Sequence, residues 1–400
     1  MTHVWRPALI AAGVLVGVTV GVLWSQGDSL RAPALLRRAD RPPSGHSDGM
    51  AVPLADRASA PVPGAEICPK HMHYGPCGGV RDDLSCELGD RPCPFAVAPL
   101  PLWTGGEPAP TPPPRPDGLL DRAATRPVVL TDLSVTPYAP ASVRRVVGVL
   151  AASSDALLVG EHQSTPDLPP TLFATEVLAA GGRPWTTLTC RDRNRVVLEQ
   201  EIMGLAAVGV EGVLCATGDV RAPGVRPDVT QVFDLDGTRL AALAAAAGLV
   251  ATVPEAPEAA PRALRPARVA AKQRAGARLC VLNHAGSPAV VARFVADARA
   301  AGATLPFVAG VAVYTDERSA RVLQAFPGLH LDDAAVGAVL AAPDPTVAGI
   351  AAAVDEARAL LAIPGVVGVN LSGLASGRGE VAGAEVKAAI AEEIRREAGR

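Results

Sequence analysis

The sequence has few aromatic residues and no excess of basic charge. Phe, Trp and Tyr make up 3% of its 400 residues, and 37 Lys and Arg are set against 40 Asp and Glu, for a formal net charge of −3. A nucleic-acid-binding protein needs a basic surface or aromatic side chains on which bases stack. Nucleic acid is therefore not the expected partner. The 49% of hydrophobic residues, mostly Ala, Val and Leu, are typical of helices packed on a sheet.

Cysteine is also scarce, and four of the seven cysteines fall within residues 67–95, ICPKHMHYGPCGGVRDDLSCELGDRPCPF. These four are Cys68, Cys77, Cys86 and Cys93, spaced C-x8-C-x8-C-x6-C. Four thiolates suit zinc or an iron–sulfur cluster, although common zinc sites use tighter C-x2-C pairs. Three interpretations stay open, namely metal or cluster ligands, reduced structural or redox thiols, and disulfides. The other three cysteines each end an apolar run and are expected in the core.

The N-terminus carries an uncharged apolar run at residues 8–24, ALIAAGVLVGVTVGVLW. Its 17 residues are near the lower limit for crossing a bilayer. Basic residues lie mostly after the run, which would leave a cytoplasmic body behind a membrane anchor. The alternative is an over-extended reading frame with the true start at Met50. We expect a cytoplasmic protein in both cases, anchored to a membrane only in the first.

Four regions follow from composition. Residues 1–49 hold the apolar run and a linker, 50–100 a small cysteine-rich module, 101–126 a Pro-rich linker, and 127–400 the main domain. In the main domain, short β-branched runs alternate with amphipathic helical stretches. The eight predicted strands are 128–133, 156–160, 186–190, 212–216, 249–253, 279–283, 307–313 and 366–370. The predicted helices are 141–152, 170–181, 194–209, 236–247, 262–276, 287–302 and 383–398.

Eight buried strands with intervening helices over about 275 residues are the count and size of a (β/α)8 TIM barrel. A doubly wound sheet is the alternative, but no Gly-x-Gly-x-x-Gly follows the first strand. Active sites of barrels form at the C-terminal ends of the strands. Polar residues follow most of the predicted strands, which predicts a polar pocket at that face. They include Asp132, Glu161, His162, Arg191, Asp192, Asp219, Glu255, Asn283, His284 and Asn370.

Two of these strand ends resemble the barrel of methylenetetrahydrofolate reductases: TLTCRDRN at 187–194 and VLCATGD at 213–219. The cysteine-rich stretch at 68–93 looks like the module called the methylenetetrahydrofolate reductase C-terminal domain, placed here before the barrel. VPEAPE at 253–258 adds a weaker similarity.

The resemblance implies an oxidoreductase of one-carbon metabolism and methionine biosynthesis. Such an enzyme reduces 5,10-methylenetetrahydrofolate to 5-methyltetrahydrofolate with NADH or NADPH, through FAD. It implies a role for Asp219 near the flavin and the folate, where a carboxylate stabilises a cationic iminium intermediate. Asn283 stands at the position of a folate-binding glutamine. The implied cofactor contacts are Thr189, Arg191, Asp192, Thr217, Gly218 and Lys272.

The sequence also departs from the family. The glutamate proposed there as general acid is replaced by Asp132 in TDLSVTPY, and a histidine common after strand five is replaced by Pro257. Because aromatics are scarce, hydride transfer through FAD and direct transfer from nicotinamide to folate both stay open. Two other functions are alternatives: a folate- or corrinoid-dependent methyl-transfer barrel, and a non-catalytic redox partner subunit carrying a metal or iron–sulfur module.

Overall fold

The structure, a computed structural model, describes residues 62, 64–105, 115–161, 165–221, 224–325, 329–373 and 376–398. The apolar run at 8–24, the alternative start at Met50 and His162 lie outside these residues. Within the described ranges, no helix is long and apolar enough to cross a membrane.

Eight parallel strands close into a barrel in chain order, β1 through β8, so the predicted TIM barrel is confirmed and the doubly wound alternative is not formed. Each predicted strand is present, with its ends shifted by at most three residues. The strands are β1 Val128–Asp132, β2 Ala156–Val159, β3 Pro184–Thr189, β4 Gly212–Ala216, β5 Val250–Glu255, β6 Leu279–Leu282, β7 Phe307–Val313 and β8 Val366–Gly373.

Helices surround the barrel, and all seven predicted ones are present. Helix α1 before β1 and helices α8, α9 and α10 between β7 and β8 were not predicted. The helices are α1 Leu119–Ala123, α2 Pro140–Leu150, α3 Pro170–Ala179, α4 Arg195–Ala207, α5 Gly237–Ala246, α6 Arg265–Arg274, α7 Pro288–Ala300, α8 Glu317–Gln324, α9 Asp333–Leu340, α10 Pro345–Leu361 and α11 Glu380–Ala398.

Alternation along the strands divides the core into two layers. In β1, Val128 and Leu130 belong to the cluster inside the barrel, whereas Val129 packs with the helices. The interior also holds Trp185, whose indole N–H donates to Thr252 Oγ1 at 3.1 Å. Gly212 lies beside Trp185 in the register, and a Cβ there would come within 2.1 Å of the indole. A glycine is therefore needed opposite this tryptophan.

Residues 64–105, here called the cysteine segment, contain a 3-10 helix at Ala65–Ile67 and an antiparallel bridge between Ser85 and Pro92. The segment is otherwise irregular. Its small apolar core includes Ala260 from the loop between β5 and α6. The segment and the barrel therefore share a core.

Hydrogen bonds also fix the cysteine segment to the barrel. The buried carboxylate of Asp236 caps helix α5 and also accepts from the backbone N–H groups of His73 and Tyr74, at 2.9 and 3.3 Å. Arg265 donates to the carbonyl of Cys77 at 2.8 Å, and Arg268 donates to that of Tyr74 at 3.2 Å. The segment is thus held against the β4–α5 and β5–α6 connections.

Candidate active site at the barrel mouth

Several polar side chains face the barrel interior at its C-terminal mouth. Leu130 and Leu158 belong to the interior cluster, and Asp132 lies two residues beyond Leu130 and pairs with Leu158. Since side chains alternate along a strand, Asp132 faces the interior. Asn370 pairs with Leu130 and faces the same side. The same alternation places Thr189 and Asn283 at the mouth. Thr189 lies four residues beyond Trp185, and Asn283 lies two beyond Val281, and both of these side chains face the interior.

Asp132 is the carboxyl of this set, and it is hydrogen-bonded to Asn370. Its Oδ1 accepts from the amide nitrogen of Asn370 at 2.9 Å, and that nitrogen also lies 2.8 Å from Ser372 Oγ. Burial raises the pKa of Asp132, and the opposing effects of Lys387 and Asn370 only partly offset it. A carboxyl with a raised pKa at an active-site face is suited to hold and donate a proton.

Lys387 of helix α11 approaches Asp132 from the helix layer. Its ammonium donates to the Asp132 backbone carbonyl at 2.7 Å, and the residue is 2% exposed. Burial lowers the pKa of Lys387 to about 8, against the attraction of Asp132. The charge on this lysine therefore titrates close to physiological pH.

A polar network links the ends of β2 and β3. The Glu161 carboxylate accepts from Thr189 Oγ1 at 2.7 Å and from Arg193 at 2.7 Å. Beside it, Arg191 donates to Asp192 at 2.9 Å. The two predicted cofactor contacts Thr189 and Arg191 are thus brought to the mouth and paired with carboxylates.

Asp192 is held on both sides by arginines. Arg221 lies 2.7 Å from its second oxygen, opposite Arg191. Burial raises the pKa of Asp192, but the hydrogen bond from Arg221 and the charge of Arg191 outweigh it, so the net pKa is lowered. The two arginines therefore favour the ionised form of Asp192.

The loop after β4 carries Thr217, Gly218 and Asp219 and lies under the cysteine segment. Gly218 has a left-handed φ of 93°, and a Cβ there would come within 2.9 Å of Thr189 Cβ, so the position requires glycine. Its carbonyl accepts from Lys70 Nζ at 2.7 Å. The Asp219 carbonyl accepts from Arg191 at 3.4 Å. Two carbonyls of the predicted catalytic loop are therefore held by hydrogen bonds, one from Lys70 of the cysteine segment and one from Arg191 after β3.

Lys70 connects that loop to the cysteine segment. Its ammonium is 2.5 Å from Glu87 and 5.3 Å from the centre of the Phe233 ring. Burial lowers its pKa, but Cys77, Glu87 and Asp219 outweigh that effect and the net pKa is raised. Lys70 therefore stays charged beside Asp219.

Lys272 lies behind β5, on the helix side. Its Nζ donates to Glu255 at 2.8 Å, and Arg265 and Arg268 approach the same carboxylate at 3.3 and 3.4 Å. Burial raises the pKa of Glu255, but the three cations outweigh it and hold the pKa at about 2. Burial lowers the pKa of Lys272. The predicted phosphate-binding lysine is thus placed in a buried ion cluster, and its cofactor role stays a prediction.

The four cysteines of the segment line one pocket together with Lys70, Glu87 and Arg91. Its volume is about 390 Å³, including the part that is open to solvent. All seven cysteines are free thiols. Burial raises the pKa of Cys77 to about 12. Cys190, Cys215 and Cys280 are buried, as predicted.

A metal does not fit the cysteine segment as it stands. Among the described residues, no three His, Cys, Asp or Glu side chains come together in an arrangement that could hold a metal ion. The assignment of zinc or a cluster to Cys68, Cys77, Cys86 and Cys93 stays a prediction.

No protein-family model and no curated protein matches the chain. Solved structures do resemble it. An uncharacterized protein from Clostridium thermocellum that binds two copies of 5-methyl-5,6,7,8-tetrahydrofolic acid superposes with a TM-score of 0.54 at 9% identity, over 70% of this chain and 99% of that one. At this identity the likeness shows the fold alone.

Two other barrels are less similar. A 2,3-dimethylmalate lyase has a TM-score of 0.40 at 13% identity, covering 63% of this chain and 77% of its own. Tryptophan synthase from M. tuberculosis has a TM-score of 0.38 at 16% identity, covering 68% of this chain and 95% of its own.

The residues predicted to contact a flavin have hydrogen-bond partners within the protein. The partners that engage them are Glu161 for Thr189, Asp192 for Arg191, Met72 for Thr217, Lys70 for the Gly218 carbonyl and Glu255 for Lys272. Their donors and acceptors are thus directed at the protein. FAD binding at these residues stays a prediction.

Sequence reasoning missed two of the three buried lysines, Lys70 and Lys387. Lys387 lies within an apolar helical stripe of α11 that includes Ala384, Ile390, Ala391 and Ile394, all buried. A lone lysine in such a stripe is a usable signal for a buried charge, because its ammonium needs a partner. Lys70 lies in an irregular segment, where no periodicity marks burial.

Proposed function

We propose that the barrel mouth binds a reduced folate and that the protein reduces 5,10-methylenetetrahydrofolate to 5-methyltetrahydrofolate with a reduced nicotinamide dinucleotide. The observation that carries the proposal is the interior-facing Asp132, whose pKa burial raises. Support comes from the motifs at 187–194 and 213–219, which resemble methylenetetrahydrofolate reductases. The Clostridium thermocellum barrel, which shares the fold, binds 5-methyltetrahydrofolic acid.

The reaction opens the ring that joins N5 and N10 of the folate through the methylene carbon. Protonated Asp132 donates its proton to N10 as the bond between N10 and the methylene carbon breaks. The methylene carbon and N5 then form a cationic iminium, and the Asp219 carboxylate stabilises that positive charge. Hydride from the nicotinamide adds to the methylene carbon. One proton and one hydride are consumed, and the products are the N5-methyl folate and the oxidised nicotinamide.

Other mouth residues bind and orient. Asn283, directly after β6, is assigned to hydrogen bonding with the pterin, for which an amide offers both a donor and an acceptor. Lys70 and Arg191 fix the backbone around Asp219 through the Gly218 and Asp219 carbonyls. Fixed geometry lets a charged group act in the transition state without rearranging.

The test is Asp219→Ala, assayed by NADH oxidation with 5,10-methylenetetrahydrofolate. We expect turnover to fall by about a hundredfold or more while thermal unfolding is unchanged, since one electrostatic group at a reacting centre contributes on that scale. Asp228→Ala is the matched control, because this exposed aspartate lies in the same β4–α5 connection and pairs only with Arg226 among the described residues. Equal turnover in both variants would contradict the assignment. Folate binding without NADH consumption would favour methyl transfer instead.

A further inference from the structure

The carboxamide of Asn370 has one polar atom in use and one without a partner. Its nitrogen donates to Asp132 Oδ1 at 2.9 Å and lies 2.8 Å from Ser372 Oγ. Its oxygen is buried and accepts from no described residue, and the residue is 3% exposed. Asp132 Oδ1 accepts from this nitrogen even when the carboxyl carries its proton on the other oxygen, so the amide lies with its nitrogen toward β1 and its oxygen away. A buried carbonyl without a donor calls for a ligand N–H.

The carbonyl belongs to a residue that faces the interior of the barrel at its mouth. Asn370 pairs with Leu130 on one side and with Gly310 on the other, so it faces the interior of the barrel. Two strands away, a Cβ on Gly160 would meet nothing within 4 Å. The end of β2 therefore leaves space at the mouth of the barrel, which Asn370 faces from β8.

The neighbouring acid identifies the N–H. Both polar atoms of a carboxamide are bonded to one carbon, so a ligand nitrogen within hydrogen-bond range of Asp132 can also lie within range of Asn370 Oδ1. In the proposed reaction that nitrogen is N10, which carries no hydrogen in the substrate and gains one from Asp132. We infer that Asn370 is a further substrate-contacting residue, whose carbonyl accepts the N–H that forms at the bridging nitrogen of the folate.

This role, which rests on the proposed function, makes the carboxamide complementary to the products of proton transfer. Proton transfer turns Asp132 into a carboxylate and N10 into an N–H donor. The Asn370 nitrogen stabilises the first and its oxygen stabilises the second. Interactions that strengthen as the proton moves lower the barrier and do not merely tighten substrate binding.

Asn370→Leu tests the inference, because leucine has a similar size and no polar atoms. Two ligands are compared by calorimetry on the full chain: 5-methyltetrahydrofolate, which has the N10–H, and its N10-methyl analogue, which does not. We expect Asn370→Leu to weaken binding of the first about tenfold and to leave the second unchanged. Turnover should fall by at least a similar factor. Thr186→Val is the control, since Thr186 Oγ1 is also buried and unpaired among the described residues. Its side chain is on the helix side of β3, like that of Leu188, and not on the side that faces the barrel interior.

Equal weakening of both ligands, or of neither, would overturn the role of Asn370 while leaving the folate proposal standing. A wild-type protein that binds neither ligand would overturn both.

A second measurement needs no variant: with 15N at N10 of 5-methyltetrahydrofolate, the N10–H proton should shift downfield when the ligand binds the wild-type protein. An unshifted resonance in the bound ligand would refute the inference.

Discussion

Glu255→Gln should strongly destabilise the protein, because Glu255 is the carboxylate that lies against three buried cations among the described residues. Lys272, Arg268 and Arg265 approach it at 2.8, 3.4 and 3.3 Å, and Glu255 itself is 4% exposed. Glutamine keeps the shape and removes the charge. Three buried cations would then lack their counter-ion, which costs several kcal/mol where one partner of a buried pair is removed.

The magnitude follows from the pKa of Glu255, which the three cations hold at about 2 against its ordinary value of 4.5. At about 1.4 kcal/mol per pH unit, that difference corresponds to about 3 kcal/mol in favour of the folded state. The sign follows from the lowered pKa. The stabilisation is complete above pH 4.5 and is lost as the pH falls from 4.5 toward 2.

Urea unfolding at pH 7 measures the effect through the midpoint at constant slope. Glu317→Gln is the matched control, because Glu317 pairs with Arg321 on the surface with both side chains at least 75% exposed. Such a pair contributes less than about 1 kcal/mol. A loss below 1 kcal/mol for Glu255→Gln, or a loss equal to that of Glu317→Gln, would refute the reasoning. The difference between Glu255→Gln and wild type should also shrink below pH 4.5.

Two further predictions test the surroundings of the mouth and the barrel interior. Lys387→Met removes the cation that opposes the raised pKa of Asp132, so the high-pH limb of the pH–rate profile should move to higher pH; an unmoved limb would separate Lys387 from Asp132. Gly212→Ala places a methyl group against the Trp185 ring and should cost about 1 to 3 kcal/mol in urea unfolding. Gly148→Ala in α2, where a Cβ would meet nothing within 4 Å, should instead stabilise by about 0.5 to 1 kcal/mol, and the opposite order would contradict the packing argument.

The strand ends could be predicted because their signal is local. Each strand is a short apolar run bounded by polar or turn residues, and the runs at 212–216 and 307–313 coincide with β4 and β7. Parallel strands in a closed barrel all direct their C-terminal ends to one face, so the position of Asp132 and Asn283 at the mouth follows from the sequence once the barrel is assumed.

Which partner each side chain takes was decided by the tertiary structure. Asp132 accepts hydrogen bonds from Asn370, 238 residues away in the chain, and from Lys387, 255 residues away. These contacts form because β8 and α11 pack against β1 in the closed barrel. Lys272 was predicted from a motif as a cofactor contact, but a helical position alone does not say which neighbour its ammonium reaches.

The sequence by itself determined the strands, the helices that flank most of them and the set of polar residues at the strand ends, since periodicity and turn chemistry act over a few residues. Only the tertiary structure decided burial, protonation and pairing. Burial in the closed barrel raises the pKa of Asp132 and leaves the Asn370 oxygen enclosed without a donor among the described residues. The burial and the partners of these side chains depend on how the eight strands close into the barrel, so no single stretch of sequence encodes them.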